Sequence, residues 1–64
     1  MSEKFLYDNL GKVIGRIEDN GTGTTCIYSS QGEMLGKYEE AVDMTYDEYG
    51  NVVGRGNLLT TLLR

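Results

Sequence analysis

Three copies of one short pattern occupy most of this chain, and internal repetition constrains a fold more tightly than any single residue. The copies run from Phe5 to Arg16, from Cys26 to Lys37 and from Met44 to Arg55. Each opens on an apolar residue, any residue, Tyr, then Asp or Ser. Two variable residues, Gly, a polar residue, two apolar residues and Gly follow, and Arg or Lys closes the copy. One supersecondary unit used three times is the frame into which the other residues must fit.

Each copy predicts a β-hairpin. Asp8-Asn9-Leu10-Gly11 and Asp47-Glu48-Tyr49-Gly50 suit a type I turn with Asp first and Gly last, and Ser29-Ser30-Gln31-Gly32 suits it with a hydroxyl as acceptor. The closing glycine takes a left-handed conformation without a Cβ penalty, which gives a three-residue loop with a G1 bulge. Counting back from that turn pairs Tyr7 with Val13, Leu6 with Ile14, Phe5 with Gly15 and Lys4 with Arg16. It also sets Asp43 opposite Arg55.

Side chains alternate between the faces of a strand. One face is therefore expected to carry Phe5, Tyr7, Val13, Gly15 and Ile17, with Cys26, Tyr28, Met34, Gly36 and Tyr38, and Met44, Tyr46, Val52 and Gly54, in the other copies. This apolar face is the expected core. The opposite face is expected to hold Leu6, Ile14 and the cations Arg16, Lys37 and Arg55. Gly15, Gly36 and Gly54 recur in mid-strand, where glycine weakens a strand. A repeated cost implies a repeated cause: close approach of a neighbouring hairpin, or room for a tyrosine ring.

The hairpins span approximately 4–18, 25–39 and 43–56 within a single domain, 1–64. After Gly56 the pattern changes. Asn57 suits an N-cap, and Leu58, Leu59, Leu62 and Leu63 form a helical stripe, predicting a short helix over 57–64. So short a helix is unstable alone in water, so its leucines must dock on the hairpins or on another subunit. The predicted fold class is all-β: three repeated antiparallel β-hairpins around a pseudo-symmetry axis, with a short C-terminal helix.

Composition narrows the function classes. A chain of 64 residues buries only about 60% of its unfolded surface and needs a staple of some kind. Cys26 is the sole cysteine and there is no histidine, so neither an intrachain disulfide nor a conventional zinc site is expected. Oligomerisation remains, and a homo-oligomer through Leu58, Leu59, Leu62 and Leu63 is expected. Ten acidic against six basic residues, a net charge of −4, argue against general nucleic-acid binding. No apolar run has the length of a signal peptide or of a membrane span, so a cytoplasmic protein without membrane attachment is expected. Lacking histidine and any recognised catalytic spacing, the chain is expected to be no enzyme, with no catalytic residue, metal or cofactor.

The repeated Tyr-Asp-x-x-Gly-x-Val-x-Gly-Arg hairpin resembles the small bacterial and phage proteins described as four-fold β-flower domains. The resemblance covers residues 5 to 57, and Gly54-Arg55-Gly56-Asn57-Leu58-Leu59 looks like their C-terminal segment. It implies hairpins radiating around a central axis, although this chain has three clear hairpins where four would be expected. By analogy with small phage proteins that sequester nucleotide immune signals, it implies a non-enzymatic small-ligand-binding protein, an anti-defence sponge in the cytoplasm of a bacterial host. The alternative is a small oligomeric structural or protein-interaction module that engages a host protein.

The candidate ligand site follows from repeat position. Arg16, Lys37 and Arg55 recur at one place in each copy and suit a phosphate-bearing, nucleotide-type anion. Tyr7, Tyr28 and Tyr46 also recur and suit stacking on a base. The competing readings are ordinary surface ion pairs for the cations and sheet packing for the tyrosines. The predicted register sets the tyrosines and cations on opposite faces, so a shared site would have to span two hairpins or two subunits. Cys26 reads as a core residue, Gly21-Thr22-Gly23 as a flexible linker, and Glu39, Glu40 and Asp43 as a solvated acidic turn.

Overall fold

The computed structural model describes residues 2–63. Within them the protein is all-β. Strands β1 (Ser2–Tyr7), β2 (Val13–Asp19), β3 (Thr24–Ser29), β4 (Met34–Glu39), β5 (Met44–Asp47) and β6 (Val52–Arg55) form one open antiparallel sheet in sequential order. Sequential order leaves β1 and β6 as its two edges. No helix is long and apolar enough to cross a membrane.

The turns form where the local chemistry demands them. The Gly11 N–H donates to the Asp8 carbonyl at 3.1 Å, and Asp8 Oδ1 accepts from the N–H groups of Leu10 and Lys12 at 2.8 and 2.9 Å. Asp47 Oδ1 accepts from Tyr49 and Asn51, both at 2.9 Å, and Ser29 Oγ accepts from Gln31 and Glu33 at 3.2 and 3.1 Å. Gly11, Gly32 and Gly50 close these turns with φ of 82°, 89° and 86°, a region open to glycine without strain.

Beyond each turn the register departs from the expected one. Tyr7 pairs with Val13, but Leu6 pairs with Gly15, so Ile14 is an extra residue in a β-bulge. Leu35 and Val53 are extra in the same way, because Ile27 pairs with Gly36 and Thr45 with Gly54. The shift corrects the expected pairs: Phe5 faces Arg16 in place of Gly15, Lys4 faces Ile17 in place of Arg16, and Met44, not Asp43, faces Arg55.

One extra residue also turns every later side chain of the strand to the other face. The core consequently lies on a face that combines Leu6, expected to be outer, with Ile17 and Tyr38, expected inside. Ile27, Leu35 and Leu59 are buried there, with Leu6, Ile17, Tyr38, Leu62 and Leu63 packed against them. Phe5, Tyr7, Val13 and Met34, expected inside, are exposed, and Cys26 is half-buried on the outer face beside Glu18 and Lys37.

The helix expected over 57–64 is instead a single 3-10 turn, Leu59–Leu62, and residue 64 lies outside the described residues. The segment is held by Thr45, whose fully buried Oγ1 donates to the Gly56 carbonyl at 2.5 Å and accepts from the Leu58 N–H at 2.9 Å. Asn57 Oδ1 accepts from the Leu59 N–H at 3.2 Å, although Asn57 is not the residue that caps the turn. The leucines then lie over the mid-strand glycines. A Cβ at Gly15 would stand 2.8 Å from Leu63 Cδ2 and 2.6 Å from the Tyr28 carbonyl oxygen. At Gly54 it would stand 2.7 Å from Leu58 Cδ1, and at Gly36 it would collide with Leu62 and the Tyr46 carbonyl. Close approach of the neighbouring hairpin's backbone explains Gly15 and Gly36, the leucines bear on all three, and the nearest atoms include none of a tyrosine ring.

Candidate functional site

The bulges bring the six candidate residues onto one face. Tyr7 and Val13 share it with Phe5 and Arg16 through the β1–β2 pairing. Arg16 faces Tyr28 across β2–β3, and Lys37 faces Tyr46 across β4–β5. Arg55, paired with Met44, lies on this face at the β6 edge. The expected separation of tyrosines and cations is therefore corrected: the extra residue in β2, β4 and β6 turns the cations to the tyrosine side.

Each inner cation meets its tyrosine directly. The Arg16 guanidinium carbon stands 4.3 Å from the Tyr28 ring centre, and Lys37 Nζ stands 5.8 Å from that of Tyr46. Both lie within the range of attraction between a cation and an aromatic face. Burial, with Cys26 and Glu18 nearby, raises the Tyr28 phenol above its ordinary pKa, and Arg16 opposes the rise.

Carboxylates temper these cations. Arg16 pairs with Glu18 Oε2 at 3.0 Å and with Glu3 Oε2 at 3.3 Å, and Lys37 pairs with Glu39 Oε1 at 3.4 Å. Glu39 also accepts from Thr24 Oγ1 at 3.1 Å. Arg55 is exposed and has no ion pair or ring contact among the described residues. Arg16, expected opposite Lys4, is instead flanked by these glutamates. The pairing of Glu18 with Arg16 and of Glu39 with Lys37 was not foreseen, yet its signal was present in Arg16-Ile17-Glu18 and Lys37-Tyr38-Glu39, since residues two apart on a strand share a face. The third copy reads Arg55-Gly56-Asn57 and offers no acid at that place.

The cations form a row and do not converge. They stand on alternate strands of the sheet with a two-residue stagger, roughly 12 Å apart at ordinary strand spacing and rise. Two concavities open beside that row. One of about 420 Å³ is lined by Ser2, Glu3, Glu18, Asp19, Asn20, Cys26 and Tyr28, and its three carboxylates repel anions. The other, about 360 Å³, is lined by Lys37, Glu39, Ala41, Val42, Tyr46 and Gly50. It combines a cation, an aromatic face and an apolar wall. That wall comes from the turn after β4, where Asp43 takes a φ of 53° and its Oδ1 accepts from the Tyr38 hydroxyl at 2.7 Å. This hydrogen bond is the main reason the Tyr38 phenol lies above its ordinary pKa. The acidic segment from Glu39 to Asp43 thus contributes Ala41 and Val42 as well as charge, which the reading of a solvated turn did not foresee.

No family model matches the chain, and neither a curated protein nor a solved structure matches it.

Proposed function

We propose that this is a non-enzymatic small-ligand-binding protein whose site is the concavity beside Lys37 and Tyr46. The observation that carries the reading is the placing of Lys37 Nζ 5.8 Å from the Tyr46 ring in a recess of about 360 Å³ whose wall includes Ala41 and Val42. A recess of that size suits a small molecule. Its chemistry suits a planar, phosphate-bearing compound: the ring or the apolar wall takes the base, and the ammonium takes the phosphate in place of Glu39. Arg16 with Tyr28, and Arg55 and Tyr7 at the edges, extend the same face.

In this reading the three hairpins are copies of one unit related by pseudo-symmetry, as the β-flower resemblance implies, and a nucleotide-derived immune signal sequestered by a phage sponge is the proposed ligand. A second reading, an oligomeric or protein-interaction module, is favoured by the spacing of the cations in a row and by the exposure of Phe5, Tyr7 and Val52 on that face.

Thermal shift and calorimetry with ADP-ribose and cyclic nucleotides separate the two. A ligand that binds the native state raises its apparent stability. Lys37→Ala is expected to weaken binding about ten- to a hundredfold, the worth of a charged hydrogen bond, with little change in unliganded melting. Unchanged affinity in Lys37→Ala, or no shift with any nucleotide, overturns the ligand reading.

A further inference from the structure

We infer that the two edges of the sheet are complementary, and that one copy of this chain docks its β6 on β1 of a second copy in the register already used between hairpins inside the chain. The inference stands apart from the ligand reading, and it uses edges where sequence reasoning had expected the leucines.

Two internal junctions provide the template. Across β2–β3, Gly15 pairs with Ser29 and Arg16 with Tyr28. Across β4–β5, Gly36 pairs with Asp47 and Lys37 with Tyr46. In both, the glycine and cation of one hairpin meet the turn acceptor and tyrosine of the next. The edges carry the unmatched halves. β6 ends on Gly54 and Arg55, and β1 ends on Tyr7, followed by Asp8. Tyr7 is 58% exposed, and Arg55 lacks the glutamate that occupies Arg16 and Lys37. Strand direction also fits, because β6 runs opposite to β1 and a further β1 continues the antiparallel order.

Burial points the same way. Leu35, the extra residue of the β3–β4 bulge, is 6% exposed, whereas Val53, its counterpart in β6, is 40% exposed with no strand beyond it. An unpaired strand edge is itself a template for another chain. Superposing the internal register sets Gly54 opposite Asp8 and Arg55 opposite Tyr7 of the second copy, with the guanidinium over the ring. Gly56, with φ of 84°, then turns the chain away, so Glu3 and Lys4 stay outside the contact. The contact is short and the association therefore depends on concentration. Because it joins two different surfaces, it either closes into a ring or continues as a filament.

Sedimentation velocity across a concentration series, on the full chain without ligand, tests the inference. The wild type is expected to grow in mass with concentration. Tyr7→Lys, which sets a lysine against Arg55, and Arg55→Glu are each expected to sediment as monomers. Mixed in equal amounts they should associate again, because Tyr7 of one still meets Arg55 of the other. Circular dichroism reports whether each variant is folded, and Tyr7→Ser with Arg55→Ser provides a milder pair whose mixture should stop at a dimer. A wild type that stays monomeric throughout overturns the inference. So do single variants that associate like wild type, or a mixture no larger than its components.

Discussion

At Gly36 the position of a Cβ is already taken by Leu62 and by the Tyr46 carbonyl, and only the leucine is free to move. Gly54 differs: a Cβ there would meet Leu58 Cδ1 alone, at 2.7 Å, the mobile end of a side chain. The two glycines look equivalent in the repeat, yet their substitutions should not be. Gly36→Ala is expected to cost about 2–3 kcal/mol, the upper part of the overpacking range. Gly54→Ala should lie near neutral, because loss of glycine's unfolded-state freedom offsets a small shift of Leu58. Urea denaturation of the two variants checks this, and equal losses would contradict it. The repeat made these glycines legible as positions with a shared cause, either close approach or room for a tyrosine ring. It did not tell them apart, because what approaches each one comes from elsewhere in the chain.

The element with the clearest electrostatic signature is the turn that joins β5 to β6. The Asp47 carboxylate is held below its ordinary pKa by the backbone N–H of Asn51, with burial opposing, and then by the N–H of Tyr49. A carboxyl group whose pKa is lower in the folded state stabilises the fold above the ordinary carboxylate range. That contribution is lost as pH falls from the ordinary value through the depressed one. Asp47→Asn keeps an oxygen acceptor for the turn and removes the titration. The variant is expected to fold with the same turn and to lose less stability than wild type on acidification across that window. Melting curves over an acid pH series measure the difference, and parallel curves would assign the pH dependence to other groups. All three turns were legible in the sequence, since a first-position Asp or Ser and a fourth-position Gly satisfy the backbone locally. The bulges next to them were not, because nothing in Val13-Ile14, Met34-Leu35 or Val52-Val53 states which residue goes unpaired.

In the whole molecule, the C-terminal segment decides which face of the sheet is inside. Leu59 is fully buried against Ile27 and Leu35, and the backbone on either side of Asn57 is anchored through the Thr45 hydroxyl. Thr45→Val keeps the shape and leaves the Gly56 carbonyl and the Leu58 N–H without that partner. An unsatisfied buried group costs about 1–3 kcal/mol, so the variant should unfold at clearly lower urea concentration and expose amides 57–63 to hydrogen exchange first. Protection that persists there, with unchanged stability, would show that the leucines hold the segment unaided.

The sequence by itself determined the hairpin turns, the antiparallel strands that flank them and the recurrence of tyrosine and cation, because each depends on residues within one short copy. Which face those side chains occupy was decided only by the tertiary structure. Alternation has a period of two, so one bulged residue inverts a whole strand, and neither choice changes the local pattern. Burial of Ile27 and Leu35 against Leu59 of the C-terminal segment selects one of them. The same selection sets Arg16 over Tyr28 and Lys37 beside Tyr46, and leaves Phe5, Tyr7, Val13 and Met34, expected in the core, on the side that meets solvent.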